Sequence, residues 1–315
     1  VGPYAFQHCQ NLRHISLPDS VVQIEKYAFS YCSTLKNFTI PPKMTKAPNH
    51  LLWYGISIEK IIIPPSVTLI DDYAFCRCYS LKNITIPNSV TVIGDYGFSL
   101  CITLINISIP SSVYSIGQYA FHFCNFEYVT IPEGVAILAN YCFRNCTNLK
   151  HIELPSTLIY IAGYAFTNCY NLLEIIIPKN ISHIGSFAFI NCTSLSYVFY
   201  PGKMSPGYSI SEPPFTNCFS LDYVDVLDYY LNTTFCGMRV RVDYPSETES
   251  EVESSFLTPE IPESSYYDTS ISDFDESSLE TLETSEPDHS PVESWDTSKL
   301  DHSAFDSMDT SEPDH

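Results

Sequence analysis

Cysteine is the residue type here with the widest chemical reach: twelve of 315 residues could serve metal sites, disulfides or a thiolate nucleophile. Nine of them, Cys9, Cys32, Cys78, Cys101, Cys124, Cys146, Cys169, Cys192 and Cys218, recur at intervals that are mostly 23 residues or twice that. A zinc site needs two close pairs converging on one point. An even interval instead spreads the sulfurs along a line. The expectation is therefore a column of buried thiols that pack as small apolar side chains. Cys76/Cys78 and Cys142/Cys146 are the close pairs, and a local disulfide is the alternative there. Histidine gives no better start. His14 and His151 fall at equivalent places in the repeat, where other copies carry Asn, Lys, Tyr or Glu, and both read as exposed strand residues. No nucleophile–base arrangement and no phosphate-cradling glycine loop is present. No catalytic, metal-binding or cofactor-binding residue is assigned, and the chain reads as a non-enzyme without a cofactor.

The elements that place these residues come from a strict repeat. A proline stands at Pro18, Pro41, Pro64, Pro87, Pro110, Pro132, Pro155, Pro178 and Pro201, at intervals of 22 or 23 residues. A period that regular is the mark of a solenoid. Each copy reads Cys-x-x-Leu-x-x-Ile-x-Ile-Pro-x-x-Val-x-x-Ile-x-x-Tyr-Ala-Phe-x-x-Cys. Leu-x-x-Ile-x-Ile alternates with period two and is rich in β-branched residues, which predicts a short strand. Strands of successive copies should pair in parallel, ~4.8 Å apart. Proline ends the pairing because it has no N–H to donate. The return through Val, Ile and the Tyr-Ala-Phe box is short, so it is a 3₁₀ turn or a second short strand. At the Gly94 position other copies carry Glu25, Asp71 or Ala139, so that turn should not need a positive φ.

Two copies deviate. Between Pro41 and Pro64, Leu51-Leu52 replaces Ala-Phe and Gly55 stands where Cys is expected. After Pro201 three residues are added, so Phe215 and Cys218 lie 26 beyond Phe189 and Cys192. Both copies carry Lys-Met at the Val position, Lys43-Met44 and Lys203-Met204. An apolar cap containing Leu231, Phe235 and Met238 should close the array.

Charge divides the chain. The total is −21, yet Ser246 to His315 holds 21 acidic residues against Lys299 alone, leaving residues 1–245 near neutral. The body thus lacks the basic face that nucleic acid requires, so no nucleic-acid partner is expected. No apolar run approaches the ~18 residues of a membrane span. Domain boundaries are set at 1–240 for the solenoid, with a cap at about 227–240, and 241–315 for a low-complexity acidic tail expected to be disordered. That tail repeats Thr-Ser-Glu-Pro-Asp-His at 284–289 and 310–315. Val1-Gly2-Pro3-Tyr4-Ala5-Phe6 enters in mid-repeat and reads as the start of a fragment or processed chain, on which a missing leader says nothing.

The spacing Leu-x-x-Ile-x-Ile-Pro followed by Ser-Val-x-x-Ile-Gly-x-Tyr-Ala-Phe-x-x-Cys resembles the BspA-like leucine-rich repeats. The match is closest at Leu81–Cys101, Leu104–Cys124 and Leu172–Cys192 and extends over about residues 1–226. The resemblance implies a right-handed solenoid of about ten 23-residue coils with a parallel β-sheet on its inner face. It also implies a surface antigen or adhesion protein, of the kind found in bacteria and protists, that binds proteins of a host or neighbouring cell. The alternative is an intracellular scaffold whose acidic tail is phosphorylated or recruits basic partners.

Recognition then rests on the variable outward positions of the strands. Alternation turns out His14/Ser16, Asn37/Thr39, Lys60/Ile62, Asn83/Thr85 and Asn106/Ser108 in the first half, all small or polar apart from Ile62. The second half gathers Tyr128, His151, Glu153, Glu174, Ile176, Tyr197, Phe199 and Tyr223, with Asp225 beside them. Exposed aromatics on rigid elements are what protein-binding hot spots use, so these eight are the expected contact residues for a protein ligand of a monomeric solenoid. Seven Asn-x-Ser/Thr sequons occur, at Asn37, Asn83, Asn106, Asn145, Asn180, Asn191 and Asn232. Several follow from the repeat text itself and are weak evidence for secretion.

Overall fold

The computed structural model describes residues 1–242 of the chain. Apart from Arg241 and Val242, the acidic tail expected from residue 241 lies outside the described residues. Those residues form a parallel β-solenoid without helices, wound on the 23-residue period. Two sets of short strands run along it. The first lies where Leu-x-x-Ile-x-Ile predicts it: Asn37–Thr39, Lys60–Ile62, Tyr128–Thr130, His151–Glu153, Glu174–Ile176, Tyr197–Tyr200 and Tyr223–Val226. Pairing is parallel and one period apart, as in Asn37↔Lys60 and Glu174↔Tyr197. The predicted strands at 14–16, 83–85 and 106–108 are extended but not laddered. Their alternation persists, with Ile84 and Ile86 buried and Asn83 and Thr85 exposed.

The return path resolves the two options left by the sequence in favour of a second strand. Lys46–Ala47, Leu69–Ile70, Val92–Ile93 and Ser115–Ile116 form one four-stranded sheet. Ile137–Leu138, Tyr160–Ile161 and His183–Ile184 form another. The four-stranded sheet carries inter-coil pairing through the coils of 83–85 and 106–108, where the first set is interrupted.

The Tyr-Ala-Phe box makes a third ladder of a kind the sequence did not announce. In one coil Tyr73, Phe75 and Arg77 donate their backbone N–H groups to the carbonyls of Asp95, Gly97 and Ser99 in the next. To aim alternate amides that way, the Tyr and the residue before Cys adopt positive φ, for example Tyr96 at 56° and Leu100 at 60°. A left-handed conformation costs a non-glycine residue about 1–3 kcal/mol and persists only where the surroundings over-determine it. Stacking does so here. Tyr27, His50, Tyr73, Tyr96, Tyr119, Tyr141 and Tyr164 form a column of rings with centroids 4.1–4.9 Å apart. Beside it runs a fully buried phenylalanine column, Phe75, Phe98, Phe121, Phe143, Phe166 and Phe189. Gly94 has no positive φ, as Ala and carboxylates at its equivalents required.

All twelve cysteines carry free thiols, including Cys76, Cys78, Cys142 and Cys146. The column does more than fill space. Seven thiols of the column donate to the carbonyl of the box Phe in the preceding coil, among them Cys101 to Phe75 at 3.3 Å, Cys124 to Phe98 at 3.2 Å, Cys146 to Phe121 at 3.1 Å and Cys192 to Phe166 at 3.2 Å, while Cys78 donates to Leu52. Each of those Phe carbonyls also accepts the backbone N–H of the Cys three residues further on, so the thiol takes up its second lone pair. Burial also pushes the Cys76 thiol up to about 12, and it holds Cys101, Cys142 and Cys146 well above the usual thiol range. The folded chain should accordingly react only slowly with a thiol reagent at neutral pH, since the thiolate is the reactive form. Unfolding in denaturant should release twelve thiols. Titration with an aromatic disulfide in both states checks this, and fewer than nine in the unfolded chain would contradict the buried column.

The irregular copies show how the array absorbs change. Leu51 and Leu52 are fully buried in place of Ala and Phe. The two Lys-Met pairs part company: Met44 is buried at the Val position, whereas Met204 stands in solvent. The inserted residues release Met204, and the Tyr200 ring turns inward against Phe235, 4.8 Å away. Its hydroxyl donates to the Met204 carbonyl at 2.8 Å. Gly202 permits this, because a Cβ there would lie 2.1 Å from the Tyr200 ring.

The array closes with a hairpin. Thr234–Phe235 pairs antiparallel with Met238–Val242 across Cys236-Gly237, both at positive φ, the two-residue turn that matches strand twist. Met238–Val242 pairs in parallel with Tyr223–Val226, so the closing segment lengthens the first sheet. A two-residue strand is left at the outer edge, a short edge that resists further pairing. Phe235 is buried and Met238 packs on the core, but Leu231 stays in solvent.

Candidate protein-interaction face

The outward face of the first sheet carries the candidate residues in two parallel rows. One row runs Tyr128, His151, Glu174, Tyr197 and Tyr223, and the other runs Thr130, Glu153, Ile176, Phe199 and Asp225. Strand register fixes the neighbours: Tyr128 beside His151, Thr130 beside Glu153, Glu174 beside Tyr197, Ile176 beside Phe199 and Phe199 beside Asp225. Between them Val129, Ile152, Ile175 and Val198 point inward and are buried. Each outward side chain is thus held by a backbone whose other face is locked into the core.

Exposure differs along the rows. Tyr128, Glu153, Glu174 and Ile176 are exposed, while His151, Tyr197, Phe199 and Tyr223 are half-buried. Local polar contacts are few; within one strand the Thr130 and Tyr128 hydroxyls are hydrogen-bonded at 3.2 Å, and the others lie across strands. His151 Nδ1 is 3.1 Å from Glu174 Oε1, and Thr130 donates to Glu153 Oε2 at 2.9 Å. Burial raises the Tyr128 phenol above its ordinary value, and the Glu153 carboxylate acts in the same direction, so Tyr128 remains a neutral donor.

Asp225 corrects the sequence reading. Alternation placed it outward with Tyr223, yet it is buried, at 1 % exposure. The cause is the added strand: Asp225 lies opposite Arg241, whose Nε and Nη2 reach the carboxylate at 2.6 and 2.7 Å. The same guanidinium sits 3.9 Å from the centre of the Tyr223 ring and its Nη1 donates to the Tyr223 hydroxyl. The closing strand therefore covers that end of the predicted patch. What stays open is Tyr128, Glu153, Glu174 and Ile176, flanked by the half-buried Tyr197 and Phe199. Arg241 is the residue that sequence reasoning missed here. Its signal was the alternation Met-Arg-Val-Arg-Val at 238–242, which reads as one more strand.

The outward side chains stand on strands of one face, an arrangement that suits a flat or extended macromolecular partner more than a small molecule. Among the described residues no group of three or more His, Cys, Asp or Glu converges as a metal ion would require. The same residues include no helix long and apolar enough to cross a membrane.

A family match agrees with this architecture. The BspA type leucine rich repeat region matches in six copies, over residues 1–127 and 114–235. A comparison with curated proteins finds no match. Among solved structures, a leucine-rich repeat protein from Bacteroides ovatus is 23% identical, with 77% of this chain and 81% of that one covered and a TM-score of 0.48. A leucine rich repeat protein of T. pallidum is 32% identical over 48% of this chain and 72% of that one, at a TM-score of 0.46. A leucine rich cell surface protein from Faecalibacterium prausnitzii is 28% identical over 71% and 68%, at 0.47.

Proposed function

The chain belongs to the BspA type leucine rich repeat family, and on that premise we propose that it is a surface or secreted recognition protein whose ligand is another protein. Contact is made by the second half of the first sheet, at Tyr128, Glu153, Glu174, Ile176, Tyr197 and Phe199, with His151 supporting Glu174. The observation that carries this reading is the asymmetry of one face. The first half presents Asn37, Thr39, Lys60, Asn83, Thr85, Asn106 and Ser108 with Ile62 as its apolar exception, whereas the second half adds Tyr128, Ile176, Tyr197 and Phe199 at the same register positions. Tyr128 at 41 % exposure and Ile176 at 38 % leave apolar surface that the array itself does not cover. Burying such side chains against a partner is worth about 1.5–3 kcal/mol each. The buried thiols are inert in an oxidising or a reducing compartment, so they fit a surface protein without disulfides.

Two paired substitutions test the assignment. Tyr197→Ser with Phe199→Ser should reduce binding to intact target cells by at least tenfold, at a stability cost of about 1–2 kcal/mol because both rings are half-buried. Tyr128→Ser with Ile176→Ser removes two exposed side chains and should weaken binding while leaving the urea midpoint nearly unchanged. Unchanged binding by both pairs would refute the face as the contact surface.

A further inference from the structure

The seven sequons are not equivalent in the folded chain. Asn37, Asn83 and Asn106 occupy one register position at the start of the strand segment and are exposed. Among the described residues none of these three amides has a recorded side-chain hydrogen-bond partner. Asn145 and Asn191 belong to a different column, the residue before Cys, at φ values of 58° and 62°. There the amides bond to one another along the solenoid. Asn168 donates to Asn145 at 2.7 Å, Asn191 to Asn168 at 2.8 Å and Asn217 to Asn191 at 2.9 Å. The two remaining sequons, Asn180 and Asn232, are exposed but lie off the sheet face, in the turn after Pro178 and in the closing segment.

We propose that Asn37, Asn83 and Asn106 are acceptors for N-linked glycans, and that Asn191 is refused by the amide ladder. The proposal rests on the reading that the chain is exported. In the transfer, Asn Nδ2 forms a bond to the anomeric carbon of a lipid-pyrophosphate-linked oligosaccharide. The bond from that carbon to the phosphate oxygen breaks, the lipid pyrophosphate leaves, and the proton lost from Nδ2 passes to a base of the transferase. On the strand Asn residues the nitrogen faces solvent and can carry a sugar. In the ladder, a sugar on Asn191 Nδ2 would have to occupy the space of Asn168, whose Oδ1 that nitrogen bonds, whereas Asn145 joins the ladder only through its Oδ1. Asn83 and Asn106 sit one coil apart, ~4.8 Å, too close for two large glycans to spread freely. Occupancy should therefore be high at Asn37 and divided between Asn83 and Asn106. The glycans would cover the polar first half of the sheet and leave the Tyr128–Phe199 half bare.

Glycopeptide mapping of the full chain, secreted as a soluble monomer from a eukaryotic cell through a fused leader, tests this. Removal of glycans in heavy-oxygen water marks each used asparagine. The expected result is label at Asn37 and at one or other of Asn83 and Asn106 on most molecules, with Asn191 unlabelled. Label at Asn191 in folded protein, or none at the three strand sites, would overturn the assignment. Because the leader supplies export, that failure is separate from failure of the surface reading. The latter is scored on chain isolated from its own cells by surface labelling.

Discussion

Raising the pH from 8 to 11 is expected to unfold the solenoid cooperatively, with a steepness set by its cysteine column. Burial pushes the Cys32 thiol up to about 11 and the Cys76 and Cys236 thiols up to about 12. Cys78, Cys101, Cys124, Cys142, Cys146 and Cys192 are raised as well, also chiefly by burial. In the unfolded chain these thiols ionise near 8.5. Below that value both states hold the proton and the stabilisation is complete. As pH rises, the unfolded chain loses its protons first, so stability falls until the folded-state values are reached. The slope is about 1.4 kcal/mol per pH unit for each thiol that ionises only on unfolding. Several such thiols together exceed the roughly 5–15 kcal/mol of an ordinary domain within one or two pH units. Burial raises Tyr73 and Tyr119 to about 12, which adds to the same trend. Thiolate absorbance and circular dichroism recorded together should change at the same pH. Thiolates appearing near pH 8.5 in a chain that keeps its β-signal would show that the column is open to solvent.

The second large effect is expected at Phe121. Its ring is fully buried, 5.8 Å from Phe98, 5.3 Å from Phe143 and edge-on to Phe126 at 5.7 Å. Phe121→Ala should cost about 3–5 kcal/mol. In a globular core that loss is shared, but a repeat array passes stability only between neighbours. The defect should split the solenoid into two shorter arrays, and urea unfolding should change from one transition to two. Asn106→Ala, on the exposed face, should stay within about 0.5 kcal/mol. A Phe121→Ala chain with one transition at the parental midpoint would mean that the phenylalanine column is not the spine of the array.

The parts of this fold visible in the sequence are those set by period and polarity. Proline after each strand, the alternation through Ile84 and Ile86, and the buried thiols could all be read because each recurs. What escaped depended on contacts between unlike segments. Positive φ at Tyr96 and Leu100 carries no glycine to signal it, since the stacked rings and inter-coil hydrogen bonds impose it from outside. Met44 and Met204 sit in the same dipeptide and differ because only one coil has an insertion. Asp225 fits the outward alternation perfectly well and is buried only because Met238–Val242 returns beside it. The candidate face was legible as a column of letters. Its open end and its covered end were not, because Arg241 belongs to a segment that seemed to lie beyond the sheet.

That the variable outward positions bind, and the repeated letters only build, can be tested most directly by site-specific photo-cross-linking. A benzophenone amino acid placed at position 197, 128 or 83 on the same sheet, or at 114 on the return side, would be irradiated on intact target cells. Capture of one discrete protein from 197 and 128, with little from 83 or 114, is the predicted result. Capture from 83 or 114 alone, with nothing from 197 and 128, would contradict it.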